Sequence, residues 1–128
     1  MRASFLLCLI ALPAAAAPAA AQPDWSRAAV VEVRLSSFDY DPDTVRLRAG
    51  QPVLLRLINT GRGGHNFSAP EFFAAANVAG GPVRGGAVEV PSRQTVEVRL
   101  VPARGSYRLR CTHTLHTTFG MRGEIVVQ

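Results

Sequence analysis

Hydrophobic and polar residues alternate with a period of two along most of the chain after its N-terminal segment. In residues 31–35 the order is Val-Glu-Val-Arg-Leu, so the charged side chains fall on the face opposite the aliphatic ones. Successive side chains of a β-strand point to opposite faces, and this pattern therefore predicts a strand with one buried and one solvated face. The same alternation predicts further strands at residues 45–47, 53–59, 96–100 and 107–111.

Turn-forming residues separate the predicted strands, as in Asp41-Pro42-Asp43 and Asn59-Thr60-Gly61. Several short strands in close succession indicate a β-sandwich or a barrel.

Residues 68–86 interrupt the strand pattern. Ser68 and Glu71 have the spacing of a capping box with Ser68 as the N-cap, and the Phe-Phe-Ala-Ala-Ala run that follows is compatible with a helix of about two turns. A glycine-rich stretch then leads back into a strand over Ala87–Val90. The sequence therefore predicts an all-β fold with one short helix in an insertion.

The first 21 residues have the features of a secretory signal peptide. Arg2 supplies the positive charge, residues 5–12 form a short apolar segment, and Ala19-Ala20-Ala21 gives a small-residue cleavage site. The apolar segment is shorter than the roughly 20 residues of a membrane-spanning helix, so we expect no stable membrane insertion. Cleavage after Ala21 would leave residues 22–128 as one domain, periplasmic or otherwise exported.

The composition limits the classes of function. The chain has 128 residues, 48% of them hydrophobic, which suits one compact core. All 14 basic residues are arginines spread along the chain, and with 9 acidic residues they give a net charge of +5, so no nucleic-acid-binding arm is expected. Three histidines are too few for several metal centres of the multicopper oxidase kind, which leaves room for one centre at most.

Cleavage of the signal peptide would remove Cys8 and leave Cys111 as the single cysteine, which excludes an intramolecular disulfide framework. Burial as an inert thiol, pairing with another chain and ligation of a metal remain open. His116 and Met121 follow Cys111 closely, and His65 lies upstream. Two imidazoles and a thiolate with a weak thioether are the donor set that suits redox-active copper, and this favours a copper site over an inert thiol.

The spacing of these residues resembles that of a known family. Residues 111–121 contain Cys-x4-His-x4-Met, preceded by Gly105-x-Tyr107 in the predicted strand and by an upstream His65-Asn66-Phe67. This arrangement is similar to the cupredoxins, the azurin, pseudoazurin and plastocyanin family of type 1 copper proteins. Residues 38–53 resemble the first half of that family as well.

The resemblance implies an eight-stranded Greek-key β-sandwich with one copper ion at one end, cycling between Cu(I) and Cu(II). It implies that the copper ligands are His65, Cys111, His116 and Met121, with Met121 as the weak axial donor. It also implies that the backbone N–H of Asn66 donates a hydrogen bond to the Cys111 sulfur.

The function that the resemblance implies is a monomeric one-electron carrier rather than an enzyme. Its partner would be a redox protein such as a cytochrome or an oxidoreductase, docking on an apolar patch formed by Leu115 and Phe119 around the edge of His116. A hydrolase built on Cys111 and His116 would need an orienting group and an oxyanion hole, and the sequence signals neither. The thioether also makes zinc a less suitable metal than copper.

His113 leaves an alternative function open. We expect the chain to turn after Cys111 and to carry His113 outward, where it is not a copper ligand. If His113 instead passes the metal on, the protein is a copper carrier or storage protein that delivers Cu(I) to an acceptor.

Overall fold

The computed structural model describes residues 13–19, 21–116 and 118–128. The apolar segment of the expected signal peptide, residues 5–12, lies outside the described residues, and the signal peptide stays a prediction. Within the described ranges, no helix has the length and apolar composition that crossing a membrane requires.

Two five-stranded sheets form the body of the protein. In chain order the strands are β1 (Ala29–Ser36), β2 (Asp39–Asp41), β3 (Thr44–Leu47), β4 (Val53–Asn59), β5 (His65–Ser68), β6 (Asn77–Gly80), β7 (Ala87–Val90), β8 (Thr95–Val101), β9 (Gly105–Arg110) and β10 (Arg122–Val127). Helix α1 spans Pro70–Ala75, and a single 3-10 turn spans Trp25–Arg27. The first sheet has the order β2-β1-β4-β8-β6 and the second the order β3-β10-β9-β5-β7.

The chain passes repeatedly from one sheet to the other. Strands β1 and β4 pair in parallel, as do β3 and β10, whereas the other neighbours are antiparallel. The predicted β-sandwich with one short helix is confirmed. The described part of the chain contains ten strands instead of the eight expected, because short strands such as β2 and β6 extend the edges of the first sheet.

The period-two pattern of the sequence accounts for the core. Along β4, buried and partly buried residues alternate strictly, and the buried set faces the second sheet across one apolar layer. On the solvent face, Arg56 binds Glu32 and Glu97 at 3.1 and 2.8 Å. Exposed ion pairs contribute about 0–1 kcal/mol each, so burial of the aliphatic face is what holds this strand.

The helix begins one residue later than expected. Ser68 is not its N-cap: it is the last residue of β5, where its backbone pairs with both Ala87 and Arg110. Ala69 occupies the N-cap position without a side-chain hydrogen bond, and Pro70 starts the helix, where a missing N–H costs nothing. The sheet pairing of Ser68 therefore outweighs its capping preference.

Residues 68–86 are fixed in place rather than loosely inserted. Phe72 and Phe73 are buried in the core, and β6, which the sequence did not predict, pairs with β8 at the edge of the first sheet. Gly86 has a φ of 73°, and a Cβ there would lie 2.5 Å from the Pro70 Cα, so only glycine fits where this segment closes against the helix.

Candidate metal centre

The loop of residues 111–121, called the ligand loop from here on, joins two neighbouring antiparallel strands. Arg110 at the end of β9 pairs with Arg122 at the start of β10, and the N–H of Cys111 donates to the carbonyl of Met121 at 3.1 Å. Inside the loop, the N–H of Met121 donates to the carbonyl of His116 at 2.9 Å. The sheet thus sets both ends of the loop, and its turns return His116 to Cys111.

His65 reaches the same point from β5, which lies next to β9 in the same sheet. It is the first residue of β5, pairs with Val90, and is only 4% exposed. Its Nδ1 lies 3.1 Å from the Nδ1 of His116, which in turn lies 3.3 Å from the Sγ of Cys111. Among the described residues, these three side chains are the one group of three or more His, Cys, Asp or Glu with the spacing of a metal site.

The donor set fits a metal ion. Metal–nitrogen bonds of about 2.0 Å and metal–sulfur bonds of about 2.3 Å put the donor atoms of a three-coordinate site about 3.5 Å apart. The separations of 3.1 and 3.3 Å are close to this value, and all three donor atoms lie within 4.8 Å of one another. Two imidazoles with one thiol are the equatorial set that copper takes in type 1 sites.

Burial keeps His65 in the form that binds metal. Desolvation, followed by the charges of His116 and His113, lowers the pKa of His65 below its usual value. The neutral imidazole that this favours is the metal-binding form. Desolvation and the charge of Cys111 also raise the pKa of Tyr40 well above its usual range, so its hydroxyl stays protonated and donates to the Asn66 carbonyl at 2.6 Å.

Asn66 connects β5 to the ligand loop. Its backbone N–H donates to the Cys111 Sγ at 3.5 Å, as expected from the sequence. Its side-chain oxygen accepts from the Thr112 N–H at 2.9 Å, while its Nδ2 donates to the Thr112 hydroxyl at 2.7 Å and to Glu89 Oε1 at 2.8 Å. One buried amide therefore fixes the position of the residue that follows the thiol.

Met121 and His113 adjoin the three-residue group: the Met121 backbone bonds to Cys111 and His116, and the His113 ring centroid lies 5.5 Å from that of His116. The Met121 side chain is fully buried at the end of the loop, and its role as an axial ligand stays a prediction. His113 lies with its Nε2 2.8 Å from Glu89 Oε2. Burial raises the pKa of Glu89, but the hydrogen bonds from Asn66 and His113, with the His113 charge, outweigh it and lower that pKa.

The sequence analysis missed Glu89 as a neighbour of the site. It occupies an exposed strand position of β7, where the alternation alone predicts an ordinary solvated carboxylate. The structure shows that this position faces His113 and Asn66 across neighbouring elements, a relation that only the sheet order reveals.

An exposed apolar patch surrounds the partly exposed His116. Leu115 and Phe119 are 58% and 63% exposed, in agreement with the expected patch. The structure adds Phe38 from the β1–β2 turn. Its ring lies edge-on to the His116 ring, with the two centroids 5.0 Å apart, and its centroid lies 5.4 Å from that of Phe119. Leu115, Phe119 and Phe38 are called the apolar patch below.

The sandwich is similar to several solved structures. Reduced auracyanin from the photosynthetic bacterium Roseiflexus castenholzii is 21% identical, with 79% of this chain and 98% of that chain covered and a TM-score of 0.61. Auracyanin A, a blue copper protein of the green thermophilic photosynthetic bacterium Chloroflexus aurantiacus, is 23% identical, with 77% and 99% covered and a TM-score of 0.54. The McoA multicopper oxidase of Aquifex aeolicus is 16% identical, with 84% of this chain and 31% of the oxidase covered and a TM-score of 0.64. These likenesses show a shared fold.

The comparison with curated proteins gives no match. A family model described as a cupredoxin-like domain matches residues 3–127. That range contains His65, Cys111 and His116, which lie close together as a candidate type 1 copper site. The chain therefore belongs to the cupredoxin family.

Proposed function

We propose that this protein is an exported one-electron carrier with a single copper site. The observation that carries the proposal is the convergence of a buried thiol and two imidazoles beneath an exposed apolar patch. In this proposal His65, Cys111 and His116 would hold the copper, and the Met121 thioether would be a further, weak donor. A copper ion held there would supply one-electron chemistry between Cu(I) and Cu(II).

The protein's own residues keep the donor positions nearly constant. His65 is fixed by strand pairing, and the Asn66 amide and backbone hold Thr112 and the Cys111 sulfur. Rigid donors reduce the rearrangement that accompanies a change of charge at the site. The partly exposed ring of His116, set among the apolar side chains, gives a redox partner its shortest approach.

The position of His113 supports a second candidate function, a copper carrier or storage protein. Its ring centroid lies 5.5 Å from that of His116, so a third imidazole stands beside the site at the surface. In this alternative, His113 would take up Cu(I) from the site before the ion passes to an acceptor protein. Glu89 holds His113 in its observed position, which favours the electron carrier.

The proposal is tested by visible absorption and electron paramagnetic resonance of the copper-loaded mature protein. We expect an intense thiolate-to-Cu(II) band and one copper per chain, with both lost in Cys111→Ser. Met121→Leu is the matched variant: it should keep copper and colour while raising the reduction potential, because a donor to Cu(II) is lost. An intense thiolate band in Cys111→Ser would contradict the ligand assignment.

A second measurement separates the two functions. An electron carrier keeps its copper when a Cu(I) chelator is added at moderate excess, whereas a carrier protein releases it. His113→Ala should leave the spectrum unchanged in either case, and it should slow release only if His113 is a transfer ligand. A large spectral change in His113→Ala would instead place this imidazole among the copper ligands.

A further inference from the structure

An open cleft of about 420 Å³ lies beside the two histidines of the metal centre. The β1–β2 turn, the loop between β4 and β5 and the turn before β8 form its walls. Phe38, which belongs to the apolar patch, lines the cleft together with His116, and their rings are in contact. We call it the arginine cleft; the side chains that matter below are Phe38, Arg62, His65, Arg93 and His116.

The charge of the arginine cleft is one-sided. Two exposed arginines, Arg62 and Arg93, line it, and none of its lining residues is acidic. Within the described part of the chain, neither arginine has a carboxylate at ion-pair distance, whereas Arg56 on the sheet face is bound by two. The cleft therefore carries two positively charged residues that have no acidic partner within the described chain.

The two arginines stand on loops that are held together. The buried Asn59 side chain donates to the carbonyls of Gly63 and Val90 at 2.9 Å, and its oxygen accepts the N–H of Gly61. The hydroxyl of Ser92, next to Arg93, donates to the Gly61 carbonyl at 2.9 Å. These bonds fix the backbone on both sides of the cleft, so its walls are formed before any ligand arrives.

The backbone of the cleft is also strained. Phe38 and Arg93 both have left-handed φ values, 61° and 62°, a conformation that costs a residue with a Cβ about 1–2 kcal/mol. Both line the same cleft. Residues held in such conformations cluster at ligand-binding sites, where the surrounding structure maintains them. The strain is a second observation, independent of charge, that points to the same place.

We propose that the arginine cleft binds a carboxylate of an acidic redox partner. Guanidinium forks match carboxylate oxygens in geometry, and such charge-assisted hydrogen bonds are stronger than neutral ones. The chain's net charge of +5, which becomes +4 when Arg2 is removed with the expected signal peptide, favours the approach of an acidic surface. The apolar patch adjoins the cleft through Phe38 and would be covered by the same partner. The identification of the partner as a redox protein rests on the proposed function, whereas carboxylate binding does not.

A carboxylate bound in the cleft would act on the metal centre through space. The cleft is lined by His65 and His116, so the added negative charge lies beside two of the proposed copper ligands. Negative charge near the site favours Cu(II) over Cu(I). Binding should therefore lower the reduction potential of the copper-loaded protein.

The first experiment measures binding by NMR in the copper-free mature protein, with a capped tetraglutamate peptide as the probe at about 20 mM ionic strength, where screening is weak. We expect shifts of the Arg62 and Arg93 side-chain N–H signals and of the neighbouring amides. The variants are Arg62→Gln and Arg93→Asn; asparagine tolerates the left-handed conformation, so the fold keeps its turn. Each variant should weaken binding about tenfold or more, the effect of losing one strong charged hydrogen bond.

Arg104→Asn is the matched control. Arg104 is an exposed loop residue just before β9, at the opposite end of that strand from Cys111, and its substitution removes one positive charge, as Arg93→Asn does alone. Equal weakening in Arg104→Asn, or no binding by the parent protein, would overturn the proposal. Citrate is the second probe. Site-specific binding of citrate with no binding of the peptide would show a small-anion site and would overturn the assignment to a partner protein.

The second experiment records the reduction potential of the copper-loaded protein with and without the peptide. A lowered potential in the parent, absent in the Arg62→Gln and Arg93→Asn double variant, is expected. Peptide binding to the copper-free protein, with no copper uptake, would contradict the proposed function but leave the cleft assignment standing. Copper loading without peptide binding would contradict the cleft assignment but leave the proposed function standing.

Discussion

The two histidines of the metal centre are held in different ways. His65 lies in a strand, is 4% exposed, and takes its position from the pairing of β5 with β7. His116 lies in a turn of the ligand loop, is partly exposed, and is positioned by hydrogen bonds within that loop and by the ring of Phe38. The first belongs to a strand of the sheet and the second to a loop that connects two of its strands.

This difference divides the tasks of the site. The strand-held half supplies a fixed, desolvated donor, because any shift of His65 would disturb the sheet. The loop-held half brings a donor to the surface, where a partner can approach its ring. Asn66 joins the halves, since its backbone belongs to β5 and its side chain binds the loop at Thr112.

The largest contrast is expected between His65→Ala and His116→Ala. Both should lower copper affinity by more than the roughly 10–100-fold that loss of an outer hydrogen-bond partner costs. At pH 8, His65→Ala should also lower the unfolding free energy of the copper-free protein by about 1–3 kcal/mol, because it leaves a cavity, while His116→Ala should change it by about 0.5 kcal/mol or less. Copper titration and urea denaturation check this; equal stability losses would remove the distinction.

Asn66→Ala should weaken the connection between β5, which holds His65, and the ligand loop, which holds His116. It leaves the Thr112 N–H and its hydroxyl without their partner and removes one hydrogen bond to Glu89. Thr112 is exposed, so its freed groups can bond to water instead. Each lost hydrogen bond is worth about 0.5–1.5 kcal/mol, and we expect a total loss of about 1–3 kcal/mol together with faster amide exchange at Thr112. Asn77→Ala, at an exposed strand position, is the control and should stay within about 0.5 kcal/mol of the parent.

The stability of the copper-free protein should depend on pH through His65. Because its pKa is lowered on folding from 6.5, the unfolded chain binds the proton more readily. As the pH falls from 6.5 towards the lowered pKa, unfolding should become easier by at most about 1.4 kcal/mol per pH unit, and this contribution should level off below that pKa. Glu89 contributes to the pH dependence at lower pH: because folding lowers its pKa from 4.5, its stabilising contribution is lost only as the pH falls below about that value.

Denaturation midpoints measured between pH 8 and pH 5 check the prediction. His65→Gln should flatten the slope in the upper part of this range. An unchanged slope in His65→Gln would assign the pH dependence to other groups.

The smallest effect is expected for Phe38→Gly. Glycine relieves a left-handed backbone that costs about 1–2 kcal/mol, but the variant also loses an aromatic contact with His116 worth about 0.5–1.5 kcal/mol. The two nearly cancel, and we expect the unfolding free energy to change by less than about 1 kcal/mol. Electron exchange with a partner should nevertheless slow, which would separate the role of the ring from stability.

Local patterns in the sequence predicted more than long-range ones did. The alternation predicted β1, β4 and β8 closely, and the resemblance of residues 65–67 and 111–121 to the cupredoxins implied that His65, Cys111 and His116 lie together, as the structure has them. Strand β6 was missed because it has only four residues and one large apolar side chain, Val78, so it carries little alternation. The capping of α1 was misplaced because nothing local shows that Ser68 pairs with two strands.

The neighbours that complete the site come from elsewhere in the chain. Glu89 and Phe38 are separated from the ligand loop by many residues, and each looks like an ordinary surface residue in its own segment. Their roles depend on which strands become neighbours, and this is decided by the packing of the whole sandwich.

The pairing of Arg110 with Arg122 makes the ligand loop an exchangeable part of the molecule. Its two ends are joined by the sheet and by the bond from Cys111 to Met121, so their separation does not depend on what lies between them. Lengthening such a connection costs only about 0.6 kcal/mol per doubling of its length. Loops of other lengths and donor orders could therefore be grafted between β9 and β10, and one scaffold could offer a family of metal sites that share the same buried histidine.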